Sequence, residues 1–411
     1  MRIKSLKLKN IGPFRDAFID FAGDNIEKPP ITIITGENGT GKTIILDAIR
    51  GLLLGRYGKI ERNIARDEND FLIDASFSFP QKESDFYKFD PDISIQTDKF
   101  NKHFRFITTN ESINQKFSNQ SIEKERWIIN YWTSRLPTDN FELKNLVAPK
   151  PENYLINALN GIQPNIEVTQ LICFFDYLKS SDNTKEKKQG EFLFEKLKKI
   201  IKYSLIDGEF KYVERSTLTP IMHQTGNDIS LDKLSSGNLY LIQRLVSLLG
   251  QMYSVHVLNN TKIEDLCNAP GLLLIDEAEN HLHPKWQKSF LNSILDFFPN
   301  LQIIVTTHSP FIVSSVENAN IYVSKSMQDY SIVENKTSEY SNKPVEEILL
   351  SPVFDTSSFN AEISKLIEDR KQAVENDDKE KVDNLEIKLK QINPEYFSYL
   401  DVEGILQKIT E

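Results

Sequence analysis

Eight residues at 36–43, GENGTGKT, have the composition and spacing of a phosphate-binding loop. They fit the pattern G-x-x-x-x-G-K-[ST] at each fixed position, between a predicted buried strand at 30–35 and a predicted apolar helix at 44–55. The glycines let successive backbone N–H groups point at phosphate oxygens, and the helix adds its positive N-terminal end. The predicted nucleotide-binding residues are Asn38, Gly39, Thr40, Gly41, Lys42 and Thr43. The Lys42 ammonium would reach the outer phosphates of a nucleoside triphosphate, and the Thr43 hydroxyl would hold Mg²⁺.

Two adjacent carboxylates, Asp276 and Glu277, follow the apolar run GLLLI at 271–275. Such a run is typical of a parallel strand buried on both faces, whose C-terminal end opens on the crevice where ligands bind. We expect Asp276 to orient Mg²⁺ through its water shell and Glu277 to polarise an attacking water. An isolated run of this kind could equally end in a solvated acidic turn. The phosphate-binding loop favours the catalytic interpretation.

A third apolar run, LQIIVT at 301–306, predicts another buried strand, which ends before Thr307 and His308. His308 could hydrogen-bond a γ-phosphate or the attacking water, or it could be a structural histidine at a strand end. In the order phosphate loop, Asp-Glu strand and histidine strand, the chain resembles the ATP-binding-cassette (ABC) ATPases, within the soluble SMC and RecF-like branch. The resemblance implies an α/β fold, an ABC-type P-loop ATPase head with a mixed or parallel sheet, and it makes His308 a catalytic candidate.

The resemblance also implies a serine-glycine signature at a helix N-terminus, and the segment LSSGN at 234–238 matches it up to Asn238, where the family has Glu or Gln. The matching residues are Ser235, Ser236 and Gly237. In the family this turn contacts the γ-phosphate held by a second subunit. Ser235 is also a plausible helix N-cap, and capping alone would explain the serine. The departure at Asn238 bears on how strongly this turn would hold the ATP molecule bound by the second subunit.

The first 21 residues are similar to the opening hairpin of SMC, RecF and related anti-phage ATPases. Lys4, Lys7 and Lys9 give its first strand a basic face. This face could contact nucleic-acid phosphates, or it could protect the edge of a sheet from aggregation. A net charge of −10 means that any nucleic-acid contact must be local. The segment KHFRF at 102–106, together with Arg126, is a second candidate for such a contact.

The composition, with 39% hydrophobic residues in 411, predicts a folded chain with one large core and a smaller appendage. Apolar runs are too short to cross a bilayer and the N-terminus enters a charged strand, so we expect a cytoplasmic protein without membrane contact. Cys173 and Cys267 have neither zinc-ligand nor disulfide spacing. His281 and His283 have metal-like spacing, but we expect them to shape a loop that faces the dimer partner.

Four regions are predicted: a first ATPase lobe at 1–80, a compact and mainly helical insertion with part of the sheet at 81–215, a second lobe at 216–325 and a C-terminal helical region at 326–411. Prolines and the lack of sustained heptads exclude a long coiled coil from the insertion. Within it, we predict an aromatic helix at 127–136, a core strand at 170–178 and a Lys-rich helix at 190–205. The glutamine-bearing loop of the family is not assignable, and Gln81 and Gln170 are its candidates.

The sequence lacks the acidic constellation of the TOPRIM nuclease that follows this ATPase in overcoming-lysogenisation-defect nucleases, and it has no histidine-rich nuclease motif. The overall resemblance is to the ATPase subunits of Septu and retron-associated anti-phage systems, in which the partner is an HNH nuclease. It implies a homodimer, or a higher even-numbered oligomer, that closes around Mg-ATP, hydrolyses it slowly and controls a separate nuclease. Two other functions stay open: a RecF-like DNA-repair ATPase, and a non-hydrolysing scaffold that uses ATP only to hold its dimer together.

Overall fold

The structure is a computed structural model that describes residues 1–22, 31–54, 70–78, 92–97, 104–108, 127–151, 155, 157–161, 163–354, 360–376 and 378–398. It divides into two compact units, Met1–Ile348 and Leu349–Glu411. The lobe boundary predicted at residue 325 therefore falls within the first unit. Within the described residues, no helix combines the length and apolar character that spanning a membrane requires.

Helices and strands alternate between residues 236 and 326, whereas elsewhere the strands follow one another in runs of two to four. The strands are β1 (Arg2–Ile11), β2 (Phe14–Asp20), β3 (Ile31–Gly36), β4 (Leu72–Ser78), β5 (Asp92–Thr97), β6 (Phe104–Thr108), β7 (Ile128–Trp132), β8 (Gly208–Glu214), β9 (Thr219–Gln224), β10 (Asn227–Ser230), β11 (Gly271–Ile275), β12 (Leu301–Thr306), β13 (Asn320–Ser326) and β14 (Ser331–Asn335). The α-helices are α1 (Lys42–Leu54), α2 (Asn165–Lys179), α3 (Thr184–Ser204), α4 (Ser236–Asn259), α5 (Pro284–Phe297), α6 (Pro310–Val313), α7 (Thr337–Tyr340), α8 (Val345–Leu349), α9 (Ala361–Glu375) and α10 (Lys379–Ile392).

The described strands form one mixed eleven-stranded sheet, in the order β6-β5-β4-β1-β2-β14-β13-β3-β12-β11-β7, and a small sheet in the order β10-β9-β8. From β13 to β7 the neighbouring strands of the large sheet run parallel. All residues of β3, β11 and β12 are buried, as expected for strands covered on both faces. The carboxyl ends of these strands meet at one edge of the sheet, which brings together three segments that are far apart in the sequence.

The predicted α/β fold and the predicted strands at 30–35, 271–275 and 301–306 are confirmed by β3, β11 and β12. The opening hairpin is also present as β1 and β2. However, β1 pairs with β4 on its other side and is not an edge strand, so the edge-protection interpretation of its lysines is wrong. Lys4, Lys7 and Lys9 lie on the exposed face of an interior strand whose other face is in the core.

Two predictions for the insertion are wrong, and they exchange helix for strand. Residues 170–178 belong to helix α2, and residues 128–132, predicted as part of an aromatic helix, form strand β7 beside β11. Both are short apolar runs; residues 128–132 are all buried, and residues 170–178 are buried except at Gln170 and Tyr177. Periodicity does not separate helix from strand in such runs. The Lys-rich segment is helical as predicted, within α3.

The second unit contains the amphipathic helices predicted for the C-terminal region, α9 and α10. Ile363, Leu366 and Ile367 of α9 pack against Leu389 and Phe397. Their spacing places them on one face of the helix, which is why the sequence pattern was informative here.

Candidate nucleotide site

The phosphate loop connects β3 to α1 and follows a path that requires glycine. At Gly36 (φ +138°) a Cβ atom would lie 2.0 Å from the carbonyl oxygen of Ser324, and at Gly41 (φ +95°) it would lie 2.7 Å from the Phe14 ring. A side chain at either position would push the loop off the neighbouring strands β13 and β2. The Ser324 hydroxyl also donates to the Thr40 carbonyl at 2.9 Å. The loop is thus held in place by strands that the sequence pattern of the loop does not include.

The Lys42 ammonium lies inside the loop. Its Nζ donates to the carbonyl oxygens of Gly36 at 3.0 Å and Glu37 at 2.7 Å. Burial lowers the pKa of Lys42 to about 8, although nearby carboxylates, Glu279 and Asp276 first among them, oppose the shift. The ammonium group has three N–H donors, and the two carbonyls use two of them. Phosphate oxygens could take the third donor or replace the carbonyls as acceptors.

Asp276 follows the last residue of β11 and faces the start of α1. Its Oδ1 accepts from the Thr43 hydroxyl at 3.0 Å and from the Thr306 hydroxyl at 2.6 Å. Burial raises the pKa of this carboxyl, while the two hydroxyls act in the opposite direction. The predicted pair of Mg²⁺ residues is therefore brought together from opposite ends of the first unit. Thr306 is a second hydroxyl donor to Asp276, and sequence reasoning gave it no role.

Glu277 has a left-handed backbone (φ +51°), which is uncommon for a non-glycine residue. Its N–H donates to the Thr306 hydroxyl at 2.9 Å, and its Oε2 accepts from the Asn280 side-chain amide at 2.6 Å. The backbone conformation turns the side chain towards the phosphate loop, where it lines the same cavity as Lys42. Asn280 thus orients the carboxylate from three residues further along the chain.

Glu279 is a functional candidate that the sequence analysis missed. Its Oε2 accepts from the Thr307 hydroxyl at 2.6 Å, and its Oε1 accepts from the His308 backbone N–H at 2.7 Å. The turn after β12 is therefore tied to the loop after β11 by a carboxylate. The pKa of His308 is lowered, first by burial and then by the Lys42 charge. The available signal was the second glutamate of the DEAE run, which lies too far from the strand end to be read as catalytic.

A cavity of about 250 Å³ lies between the phosphate loop and the residues that follow β11 and β12. Its lining consists of Asn38, Gly39, Gly41, Lys42, Thr43, Ile44, Glu277, Thr306 and His308. The predicted loop residues, general base and histidine therefore face one space. Thr40 is the exception among the loop residues, because it is buried and its hydroxyl donates to the Glu37 carbonyl at 2.9 Å.

The residues at this site fit both a triphosphate and a magnesium ion. The loop offers a glycine cradle and one ammonium group, which suit phosphate oxygens. The Thr43 hydroxyl and the Asp276 carboxylate lie within 3.0 Å of each other, and oxygen donors of these two kinds are the ones that Mg²⁺ prefers. Thr43 and Asp276 would hold the ion, which would neutralise phosphate charge during transfer.

The signature turn lies at the start of α4 and does not line this cavity. The Ser235 hydroxyl accepts from the Asn238 N–H at 3.3 Å, so the residue is an N-cap. Ser235 and Ser236 are exposed, whereas Gly237 is buried. Asn238 is also buried, and its side-chain amide donates to the Gln224 side chain at 3.4 Å. The residue that departs from the family pattern is thus turned away from solvent.

The remaining candidates have structural partners. His283 caps α5 by accepting from the Lys285 N–H at 3.2 Å, and the described residues contain no cluster of His, Cys, Asp and Glu able to hold a metal. Gln170 lies on α2 and donates to the Val147 carbonyl at 2.8 Å, whereas Gln81 and Arg126 lie outside the described residues. The glutamine-bearing loop therefore stays unassigned. The nucleic-acid contact stays a prediction.

Residues 31–314 match a family described as an AAA domain, a putative AbiEii toxin of a type IV TA system. The chain belongs to this family. The matched range begins at β3, immediately before the phosphate loop, and ends after His308. It therefore contains every residue that lines the cavity.

Two curated relatives are similar to much of the chain. The Septu protein PtuA of Bacillus thuringiensis is 25% identical over 342 residues, which cover 78% of each chain. The Retron Vc95 probable ATPase of Vibrio cholerae serotype O1 biovar El Tor is 30% identical over 232 residues, 55% of this chain and 38% of the relative. The chain thus spans well under half of the retron protein.

Among solved structures, an SMC head bound to the C-terminal winged-helix domain of ScpA is similar, with 17% identity, a TM-score of 0.47 and coverage of 81% of this chain and 97% of that one. The family match and the two curated relatives identify this protein as an ABC-type ATPase of the SMC, RecF and overcoming-lysogenisation-defect branch. The resemblance stated from the sequence is confirmed.

Proposed function

We propose that two copies of this chain close around two Mg-ATP molecules, hydrolyse them slowly and, through this cycle, control a separate nuclease subunit. The observation that carries the proposal is the joint position of Lys42, Thr43 and Glu277 around one cavity, with the Asp276 carboxylate hydrogen-bonded to Thr43. The site contains a phosphate cradle, ligands for Mg²⁺ and a carboxylate in position to activate water. These are the groups that phosphoryl transfer to water requires.

In the proposed reaction, the Glu277 carboxylate accepts a proton from a water molecule whose oxygen attacks the γ-phosphorus. The bond from the γ-phosphorus to the bridging oxygen breaks, and ADP and inorganic phosphate leave. His308 lines the same cavity and would donate a hydrogen bond to the γ-phosphate. Its lowered pKa favours the neutral imidazole, which keeps one N–H for this purpose.

The proposed dimer follows from the position of the signature turn. Ser235 and Ser236 are exposed at the N-terminus of the 24-residue helix α4, and they lie outside the cavity of their own subunit. Free N–H groups and the helix dipole at such a position favour an anion. A γ-phosphate held by a second copy would supply that anion, and the symmetry of a two-fold dimer would complete both sites at once.

A Ser236→Glu substitution tests the dimer directly. It places a carboxylate where the partner's phosphate would bind, while the exposed position leaves the fold unaffected. We expect ATP binding to the isolated subunit to be unchanged and ATP-dependent dimer formation, measured by analytical ultracentrifugation, to weaken about 100-fold, since like charges in contact cost several kcal/mol. A Ser216→Glu change, at another exposed serine, is the matched control. Dimer formation equal to that of the control would refute the assigned role of the turn.

Glu279 gives a second prediction within this function. Glu279→Gln keeps the size of the side chain but replaces one carboxylate oxygen by an NH2 group, so either the Thr307 hydroxyl or the His308 N–H loses its acceptor. We expect turnover to fall about tenfold, the effect of losing one hydrogen bond to a charged group. ATP affinity should change less than turnover, because Glu279 does not line the cavity. Steady-state ATPase assays with Glu264→Gln as an exposed control would measure it, and wild-type turnover in Glu279→Gln would contradict it.

The effector is proposed from the relatives, because Septu PtuA and a retron ATPase are similar to this chain. We infer a cytoplasmic ATPase with an HNH-type nuclease on another polypeptide. Purification of the untagged chain from its native host tests this, with a co-purifying nuclease as the expected result. ATP-dependent binding to gapped DNA by the purified chain alone would favour a RecF-like repair function instead.

A further inference from the structure

We propose that Arg244 and His281 are positioning residues that hold the signature turn of a subunit in a fixed place relative to that subunit's own Glu277, and so couple the two ATP sites of a dimer. The proposal rests on the dimer described above, because only there does the turn at 235–237 act on a nucleotide. Neither Arg244 nor His281 lines the cavity beside Lys42. Their hydrogen bonds go instead to backbone carbonyls at 133–135 and at 161.

Arg244 connects the signature helix to two distant loops. The residue lies in α4 and is 1% exposed. Its Nη1 donates to the Gly161 carbonyl at 3.1 Å, and its Nη2 donates to the carbonyls of Thr133 at 2.9 Å and Arg135 at 3.1 Å. Three backbone acceptors on two loops therefore determine both the depth and the rotation of the helix that carries the signature turn.

The turn at 133–135 follows the last residue of β7, which pairs with β11, the strand that leads into Asp276 and Glu277. It begins after Trp132, whose carbonyl accepts the Asp276 N–H at 2.9 Å. From its other side, His281 Nε2 donates to the Ser134 carbonyl at 3.1 Å. His281 lies in the loop at 276–283, the catalytic loop, which also contains Glu277. Both residues have a positive φ. The turn is thus held by the signature helix through Arg244 and by the catalytic loop through His281.

The signature turn itself packs on the catalytic loop. A Cβ atom added to Gly237 would lie 2.5 Å from the His281 carbonyl oxygen, so the two backbones are in close contact. The His281 ring also lies 5.7 Å from the Tyr240 ring of α4, between centroids. The signature turn, the catalytic loop and the turn at 133–135 therefore form a closed set of three contacts, in which a shift of one moves the others.

A buried guanidinium is a costly way to hold a helix, because an apolar side chain of the same volume would pay no desolvation penalty. The described residues give its Nε no hydrogen-bond partner, and burial lowers its pKa. What the guanidinium supplies is direction, since its planar fork fixes the positions of the acceptors. This need for direction, rather than for stability, is the reason that we assign Arg244 a positioning role.

Mixed dimers test the proposal. Two subunits carrying different affinity tags are co-expressed and purified over both columns in the presence of Mg-ATP, so that every retained dimer is mixed. In the first dimer, one subunit carries Lys42→Met and the other carries Arg244→Met. In the second, one subunit is wild type and the other carries both changes. Only the subunit that keeps Lys42 can hydrolyse ATP. Its site faces an intact signature turn in the first dimer and a displaced one in the second.

We expect the first dimer to hydrolyse ATP as fast as a reference dimer of wild type with Lys42→Met. The second should hydrolyse it at least about tenfold more slowly, which is the effect of a misplaced catalytic group. A subunit harmed merely in its own fold or its own site would give the reverse order, and either that order or equal rates would overturn the proposal. Melting temperatures of both dimers are measured alongside. If Arg244→Met lowers them, His281→Phe, which keeps the ring at an exposed position and removes its N–H, replaces it in the same pairings.

The reference dimer separates this proposal from the proposed function. Absence of turnover and of an ATP-dependent dimer in the wild-type chain would refute the proposed function. Normal behaviour of the wild-type and reference dimers, with no difference between the two mixed arrangements, would refute only the coupling by Arg244 and His281.

Discussion

Glu277→Gln is expected to bind Mg-ATP as the wild-type chain does and to hydrolyse it at least about 100-fold more slowly, because the amide cannot accept the proton of the attacking water. Glutamine keeps the shape and one oxygen, so the contact with Asn280, 2.6 Å in the native chain, can persist. Since the nucleotide is not consumed, the closed dimer should accumulate. Single-turnover hydrolysis and size-exclusion chromatography in ATP measure these two effects separately.

Glu191→Gln, an exposed change on α3, is the control for the loss of one carboxylate. Normal turnover in Glu277→Gln would remove this residue from its assigned role. If the wild-type chain binds ATP and dimerises but neither it nor the variant shows turnover, the non-hydrolysing scaffold becomes the better account of the protein. The variant therefore distinguishes two of the three functions that the sequence leaves open.

Lys42→Met is expected to weaken ATP binding about 100-fold or more, which corresponds to losing one or two hydrogen bonds from a charged donor. Methionine retains most of the hydrocarbon stem, so the change isolates the ammonium, which contacts the Gly36 and Glu37 carbonyls in the free protein. Isothermal titration calorimetry with Mg-ATP would measure the affinity.

Lys199→Met on the exposed face of α3 controls for the loss of one positive charge from the protein. An affinity for Mg-ATP equal to that of this control would show that Lys42 does not contact the phosphates. The ATP-dependent homodimer of this variant should be lost together with affinity, because neither signature turn would have a γ-phosphate to bind, whereas a mixed dimer with one unchanged Lys42 keeps one complete site.

The sequence alone was sufficient for the parts of the site in which chemistry and local structure share consecutive residues. The phosphate loop is one such part, because its glycines, Lys42 and Thr43 lie between a strand and a helix within one short segment. The runs before Asp276 and Thr307 are others, since a continuously apolar strand is recognisable without its neighbours. By contrast, the predictions for residues 128–132 and 170–178 are wrong, because short and almost continuously apolar runs lack the periodicity that separates strand from helix.

Tertiary structure alone decided which distant groups meet. Thr43 contacts Asp276, the Glu279 carboxylate ties the turn before His308 to the catalytic loop, and Arg244 reaches the turn at 133–135. None of these pairs has a local signature, since each joins segments that are separated in the sequence and that meet only in the folded chain. Residue types and spacing therefore determined the class of chemistry, a triphosphate with Mg²⁺. The arrangement of strands and helices decided how the catalytic loop is connected to the signature turn, because hydrogen bonds of this kind depend on where backbone carbonyls lie in space.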